Sequence, residues 1–363
     1  MRILLLIIFS AFALACCKNN EAEKPPTKTA DMLIRAADLS YLPAIEQKNV
    51  SFYNAKGEKQ DMLSILLANG CNTVRVRLWN NPADGHSGLD EVAAFANRIR
   101  AKGMKVWLDI HFSDTWADPA HQAIPKAWEH LSLAALTDSV YAYTKRVMQA
   151  IQPDIVQVGN EINNGFLGDM GSLSNANNAP NFTALLKSGI KAARETSPLA
   201  KVMVHFAGIE GAEWFFDTLL KQNSVSYDYV GLSYYPFYHG KDISQLKSAL
   251  ANLAVKTGKQ VVIAETSYPF TLEWNDMTNN VVGQQEQLAT GYPATPEGQK
   301  EYLLKVRDAI ESIPNGAGFC YWGGEWIAYK GSQAKDGSSW ENQALFDFGN
   351  RALPVLNAFN QKK

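Results

Sequence analysis

The sequence predicts an α/β protein built as one (β/α)8 TIM barrel, a single domain with enlarged βα loops, and three observations predict it. Eight short apolar runs alternate with longer stretches of helical periodicity from Met32 onward, the pattern of a parallel sheet wrapped by helices. A barrel of that kind needs ~250 residues and tolerates more than 400, so eight units in about 330 residues leave room for long loops. The rival, an open doubly wound sheet, would want a Gly-x-Gly-x-x-Gly or Walker-type turn after an early strand, and neither occurs.

The chain begins outside that alternation. Met1-Arg2, the apolar run Ile3 to Phe9 and the small residues before Cys16-Cys17 form a basic start, a short greasy centre and a cleavage region, too short to span as a permanent helix. The Leu-Ala-Cys ending resembles a bacterial lipoprotein signal, so residues 1–17 are expected to be a secretory signal with the lipid on Cys16 or Cys17; a plain cleaved signal is the rival. Residues 18–31 are polar, carry Pro25-Pro26 and lack aromatics, so they cannot support a core and are expected to be a flexible tether. Residues 32–363 are the domain. The expected product is an exported, membrane-anchored lipoprotein that meets a membrane only through that lipid. A net charge of −2 gives no electrostatic reason for nucleic acid or an anionic membrane as a partner. Cys71 and Cys320, the remaining cysteines, lie in apolar runs and read as buried thiols.

Strands are expected over 33–37, 73–78, 105–110, 155–159, 202–206, 229–233, 260–264 and 316–321. Helices are expected over 62–69, 89–102, 131–150, 183–196, 214–220, 243–255 and 296–311, with a last one near 353–359 closing the ring. Barrel chemistry sits at the C-terminal ends of the strands. The first strand ends in Asp38-Leu39-Ser40. The second alternates Arg75, Arg77 and Trp79, which puts all three on one face because the side-chain period is two. The third runs into Asp109-Ile110-His111 and a loop holding Asp114 and Trp116. The fourth ends in Gly159-Asn160-Glu161, the sixth in Ser233-Tyr234-Tyr235, the seventh in Glu265-Thr266, and the eighth in Tyr321-Trp322.

Most of the nine tryptophans fall in these loops beside acids and amides. Aromatic faces stack on sugar C–H faces while the polar neighbours take hydroxyls, so Asp38, Trp79, His111, Asp114, Trp116, Tyr235 and Trp322 are the expected carbohydrate contacts. The six histidines show neither His-x-His on an early strand nor His-Glu-x-x-His, and no Gly-x-Ser-x-Gly occurs, which sets aside metal and serine hydrolases. Carboxylate chemistry remains. Two facing carboxylates are the minimum for hydrolysing a glycosidic bond: Glu161 as general acid, then base, and Glu265 as nucleophile, held ionised by Arg77 or Arg75, with Asn160 free for the sugar 2-hydroxyl. No metal or cofactor is required.

These residues carry a resemblance. Asn160-Glu161, Glu265, Arg77 and the strand-end aromatics resemble the clan of retaining (β/α)8 glycosidases. The stretches ADLSYLPAIE (37–46), NTVRVRLWNNP (72–82), KVWLDIHFSDTWADP (105–119), VQVGNEI (156–162), GLSYYPFYHG (231–240), VVIAETSYPFT (261–271) and WENQALFDF (340–348) look like glycoside hydrolase family 53, the arabinogalactan endo-β-1,4-galactanases. That resemblance implies retaining endo-hydrolysis of β-1,4-galactan, as in type I arabinogalactan side chains of pectin, with Glu161 as acid/base and Glu265 as nucleophile. Two stretches depart from the family pattern: Gly165-Phe166-Leu167-Gly168-Asp169 stands where a Leu-Trp-Pro is usual, and Trp322-Gly323-Gly324-Glu325-Trp326 where Trp-Glu-Pro-Ala-Trp is usual. Some bacterial relatives hold calcium between the last two βα loops. Asn275, Asp276, Asn279 and Asn280 supply oxygens there, but their spacing matches no ligand set and reads as a solvated polar loop. The competing functions are a sister endo-glycosidase acting on mannan or glucan, and a non-catalytic surface glycan-binding lipoprotein.

Overall fold

A computed structural model gives the structure of residues 33–361; the expected signal and tether lie outside the described residues. Eight parallel strands close in sequence order, β1 (Ile34–Asp38), β2 (Thr73–Leu78), β3 (Lys105–Ile110), β4 (Ile155–Val158), β5 (Lys201–Ala207), β6 (Tyr229–Ser233), β7 (Gln260–Thr266) and β8 (Gly316–Tyr321), with β8 pairing back onto β1. Every expected strand forms, with ends moved by at most two residues.

The outer helices begin and stop where side-chain chemistry permits. Asp61, Ser132 and Thr295 accept the backbone N–H groups of Ser64, Ala135 and Gly298, which satisfies donors that a helix start leaves open. They open the helices Met62–Ala68, Leu133–Ile151 and Pro296–Glu311. Gly258 ends Leu246–Thr257 in the left-handed region, where no Cβ resists it. Three segments differ from expectation. Ala179–Thr196 starts four residues before 183, with Pro180 in its first turn, a place where the missing N–H is no loss. Trp214–Leu220 winds as a wider π-helix, so that the adjacent Phe215 and Phe216 are both buried, 5.1 Å apart. The closing segment Pro354–Phe359 is a 3-10 turn.

Strand alternation sorts side chains into two compartments. Val74, Val76 and Leu78 point outward into the large core under the helices. Inside the barrel, Ile34, Ala36, Trp107, Ile155, Met203, Val262, Ala264, Ala317 and Cys320 form a separate apolar plug. Cys71 and Cys320 are both buried free thiols. Gly231 belongs to this packing: a Cβ there would stand 2.6 Å from the Met203 sulfur. Above the plug, the next inward positions are all polar, namely Arg75, Asp109, Gln157, His205, Ser233 and Glu265, every one of them buried.

Glu265 reaches that layer through an irregularity. Strict alternation would send Glu265 outward, because Ala264 already faces the plug. The β6–β7 register slips between Leu232 and Ser233, and the β7–β8 register slips between Ile263 and Thr266. Such a bulge re-aims one side chain, and here it turns Glu265 inward.

Candidate active site

Arg75 is the hub of the polar layer. Nη1 lies 2.8 Å from Asp38 Oδ2, and Nη2 lies 2.8 Å from both Asp109 Oδ2 and Glu265 Oε1. Nη2 also donates to Asn160 Oδ1 at 3.0 Å. Burial disfavours the charge, but Asp109, Glu265 and Asp38 outweigh it and hold the guanidinium protonated well above its ordinary range. Nearby His111 accepts the Ala117 N–H on Nδ1 and lies 3.0 Å from Asp109 through Nε2. Its proton is therefore on Nε2, and burial holds the ring neutral by lowering its pKa.

Glu161 stands just past β4 with φ +46°, a left-handed backbone that costs a non-glycine residue on the order of 1–3 kcal/mol and is kept where function needs it. Its Oε1 accepts the Ser233 hydroxyl at 2.5 Å. Glu265 has stronger support: Arg75 on Oε1 and the Tyr235 hydroxyl donating to Oε2 at 2.8 Å. Oxygens of the two carboxylates lie within 4.8 Å of each other.

Burial raises both acids, which titrate as a pair. For Glu265, burial is opposed by Arg75 and the Tyr235 hydrogen bond, both of which favour its ionised form. Glu161 is pushed up to about 8, chiefly by burial and then by the charge of Glu265, with the Ser233 hydrogen bond acting the other way. Arg75 and Tyr235 thus favour the charged form at Glu265, while burial and the Glu265 charge favour the protonated form at Glu161.

The pair opens into a cleft of about 660 Å³. Asp38, His111, Trp116, Asn160, Tyr235 and Trp322, all anticipated from the sequence, line it together with Arg75 and Arg77. Trp326 and Trp340 complete an indole wall: Trp322 is 5.7 Å from Trp326 and 4.7 Å from Trp340, and Trp116 is 6.2 Å from Trp322. Asn160 is less free than expected. One amide N–H is held by the Ala117 carbonyl and its oxygen by Arg75, which leaves the second N–H for a substrate hydroxyl.

Three expectations need correction. Arg77 does not support Glu265; Arg75 does. Arg77 lies against indoles, its Cζ 4.0 Å from the Trp116 centroid and 4.4 Å from that of Trp79, and donates to Ser87. Cation–π contact takes the place of the acid partner expected for it. Trp79 packs edge-on against Trp116 behind the wall and does not line the cleft. Asp114 also lies away from it, because its two oxygens accept the backbone N–H groups of Asn81 and Lys126 and tie two loops together.

Both departures from the family pattern have local causes. Phe166 and Leu167 are buried, with Phe166 packed between Phe112 and Phe182, so this loop adds core rather than cleft. After β8, Gly323 takes φ +72°, and a Cβ on Gly324 would meet Leu345 at 2.7 Å. The backbone at Gly323 favours glycine, and a side chain on Gly324 would have to push Leu345 aside. Glu325 is then wholly buried, with Oε1 accepting the Tyr41 N–H at 2.7 Å.

The sequence reading missed Gln157, His205 and Ser233 as site residues. Each is a polar residue at an inward position between apolar neighbours on its strand, and that break in pattern was the available signal. Among the described residues, donor atoms of Glu161, His205 and Glu265 are the one grouping of three or more His, Cys, Asp or Glu side chains close enough for a metal. Both His205 ring nitrogens already lie within hydrogen-bond distance of side chains, so the ring has no lone pair to spare. The 275–280 loop is not fully solvated, since Asp276 is buried. Asp276 Oδ2, Asn280 Oδ1 and Glu341 Oε2 have no hydrogen-bond partner. These are hard oxygen donors of the type calcium takes.

The family model for glycosyl hydrolase family 53 matches residues 34–359. The chain belongs to that family. Among curated relatives, the Bacillus subtilis protein named endo-beta-1,4-galactanase is 35% identical over 90% of this chain and 85% of its own. The Cellvibrio japonicus arabinogalactan endo-beta-1,4-galactanase is 36% identical over 89% of each chain. Among solved structures, the GH53 catalytic domain of Ignisphaera aggregans superposes with a TM-score of 0.86 at 36% identity, covering 93% of this chain and 98% of that one. In this barrel the Glu161–Glu265 pair stands at the C-terminal ends of β4 and β7, the face where barrels of this kind carry their sites.

Proposed function

We propose that this family 53 barrel is a retaining endo-hydrolase of β-1,4-galactosidic linkages in galactan and type I arabinogalactan, the side chains of pectin. The observation that carries retention is the separation of the two acids. Carboxyl groups ~5–5.5 Å apart suit a nucleophile and an acid/base, whereas an inverting pair stands ~6.5–9.5 Å apart to admit water. Nearest oxygens within 4.8 Å leave little room for an intervening water and favour the first class. The named activities of the relatives supply the galactan preference over mannan or glucan.

Glu265, ionised against Arg75, attacks the anomeric carbon while Glu161 protonates the departing oxygen. The glycosyl ester on Glu265 is then opened by a water whose proton Glu161 takes, so both side chains return to their starting states. Two carboxylates and water balance every proton and electron pair, and the reaction needs no cofactor. Four indoles along an open cleft favour several consecutive sugars over a single terminal residue. Potato galactan sized within the first minutes of reaction is expected to give short oligosaccharides, with mannan and β-glucan untouched. Galactose as the sole early product would remove the endo assignment.

The same proposal includes export and a lipid on Cys16 or Cys17, supported by the lipobox-like leader and the core-poor tether. Replacing both cysteines by Ser is expected to move the protein from the membrane fraction to the soluble one with unchanged turnover on soluble galactan. Continued membrane partition of the double variant would break this part of the proposal.

A further inference from the structure

We propose that Ser233, fixed by His205, is a positioning residue that reserves Oε1 of Glu161 for the protein and leaves Oε2 to exchange the proton with the leaving group and then with water. The inference rests on the reading of Glu161 as acid/base, and it follows from counting protons. The Ser233 hydroxyl lies 2.5 Å from Glu161 Oε1 and 2.9 Å from His205 Nε2. It has one proton to give. An ionised carboxylate can only accept, so in the base form of Glu161 that proton points at Oε1. Ser233 must then accept from His205, which puts the ring proton on Nε2.

The other side of the ring agrees. Nδ1, left bare, accepts from Gln157 Nε2 at 2.9 Å and faces the Glu161 N–H at 3.4 Å. Asn160 Oδ1, 3.0 Å from Nδ1, is served by Arg75 instead. His205 and Ser233 are fully buried, so no water competes for these bonds, and burial together with Arg75 keeps the ring uncharged. The chain His205 to Ser233 to Glu161 runs across β5, β6 and the end of β4, so the acid is oriented by the barrel wall rather than by its own loop.

The charged and titratable groups facing Glu161 include Glu265 on β7, Arg75 on β2, His205 on β5, Asp118 after β3, and Tyr235 and Tyr238 after β6. Of the described side chains, Ser233 alone donates a hydrogen bond to its carboxylate. Removing that bond destabilises the ionised form and raises the Glu161 pKa. The alkaline limb of kcat/KM reports loss of the acid's proton, so it moves to higher pH.

The test is Ser233→Ala in the full enzyme, with pH profiles on galactan and on an aryl β-galactobioside whose phenol departs without protonation. The expected result is an alkaline limb on galactan shifted up by about one pH unit, the scale of a hydrogen bond to a charged group. The galactan rate falls roughly tenfold or more, as general-acid work is lost, while the first step on the aryl substrate stays within a few-fold. His205→Phe, which leaves Ser233 without its donor, moves the limb the same way by less. If Ser233→Ala does not fold, Ser233→Cys, of similar volume and with a weak thiol donor, must still move the limb upward. An unmoved limb with equal losses on both substrates overturns the proposal. Failure of the acid/base reading would look different: Glu161→Ala itself would cleave galactan at a near-normal rate.

Discussion

Glu265→Ala is expected to abolish turnover on every galactoside, while Glu161→Ala is expected to spare one substrate class. Without Glu265 no glycosyl ester forms, whatever the leaving group. The fold should survive that change, because Arg75 keeps Asp38 and Asp109 as partners. Without Glu161, galactan cleavage loses general-acid and general-base help, typically worth about 10²–10⁴-fold. The first step on an aryl galactobioside with a good leaving group proceeds nonetheless. Azide, entering the space left by the side chain, should release the intermediate as the β-glycosyl azide, since a second displacement restores the starting configuration. Product analysis by NMR with and without azide checks both variants. Galactan hydrolysis within a few-fold of wild type in Glu161→Ala would sink the assignment, as would β-configured azide rescue in Glu265→Ala.

The strands and most helices were legible because apolar periodicity is a local property of the chain. The acid pair was legible because each Glu follows an apolar run at a strand end. Which arginine serves Glu265 was not. Arg75 and Arg77 share a face two residues apart, so two strand rises of about 3.3 Å each, roughly 6.6 Å in all, separate the layer of acids from the layer of indoles. Only closure of the barrel decides that Arg75 lies level with Asp38, Asp109 and Glu265 while Arg77 lies level with Trp79 and Trp116. The β7 bulge was equally hidden, because a register slip belongs to paired strands and not to one run of residues. Asp114 misled for a related reason: its acidity signalled a ligand, yet its oxygens are spent on backbone N–H groups of two loops.

Arg75→Leu is expected to cost about 3–5 kcal/mol of stability, the usual loss when a buried ion pair is broken from one side. Asp38, Asp109 and Glu265 are all buried and all lie 2.8 Å from that guanidinium. With it gone, three carboxylates repel one another in a low-dielectric layer and must take up protons to remain buried. Activity fails by the same route, because Glu265 loses its counter-charge and stays protonated through neutral pH, so the acid limb of kcat/KM moves upward. Arg75→Lys separates the two effects. An ammonium keeps the charge but lacks the planar fork that reaches several carboxylates at once, so most of the stability should return and little of the turnover. Arg77→Met is the control, since Arg77 makes no salt bridge among the described residues and rests on aromatic faces worth about 0.5–2 kcal/mol each. Its main expected effect is a raised KM from a loosened Trp116 wall, with kcat changed little. Urea unfolding of the four proteins measures this ordering, and an Arg75→Leu loss no larger than that of Arg77→Met would refute the role assigned to the hub.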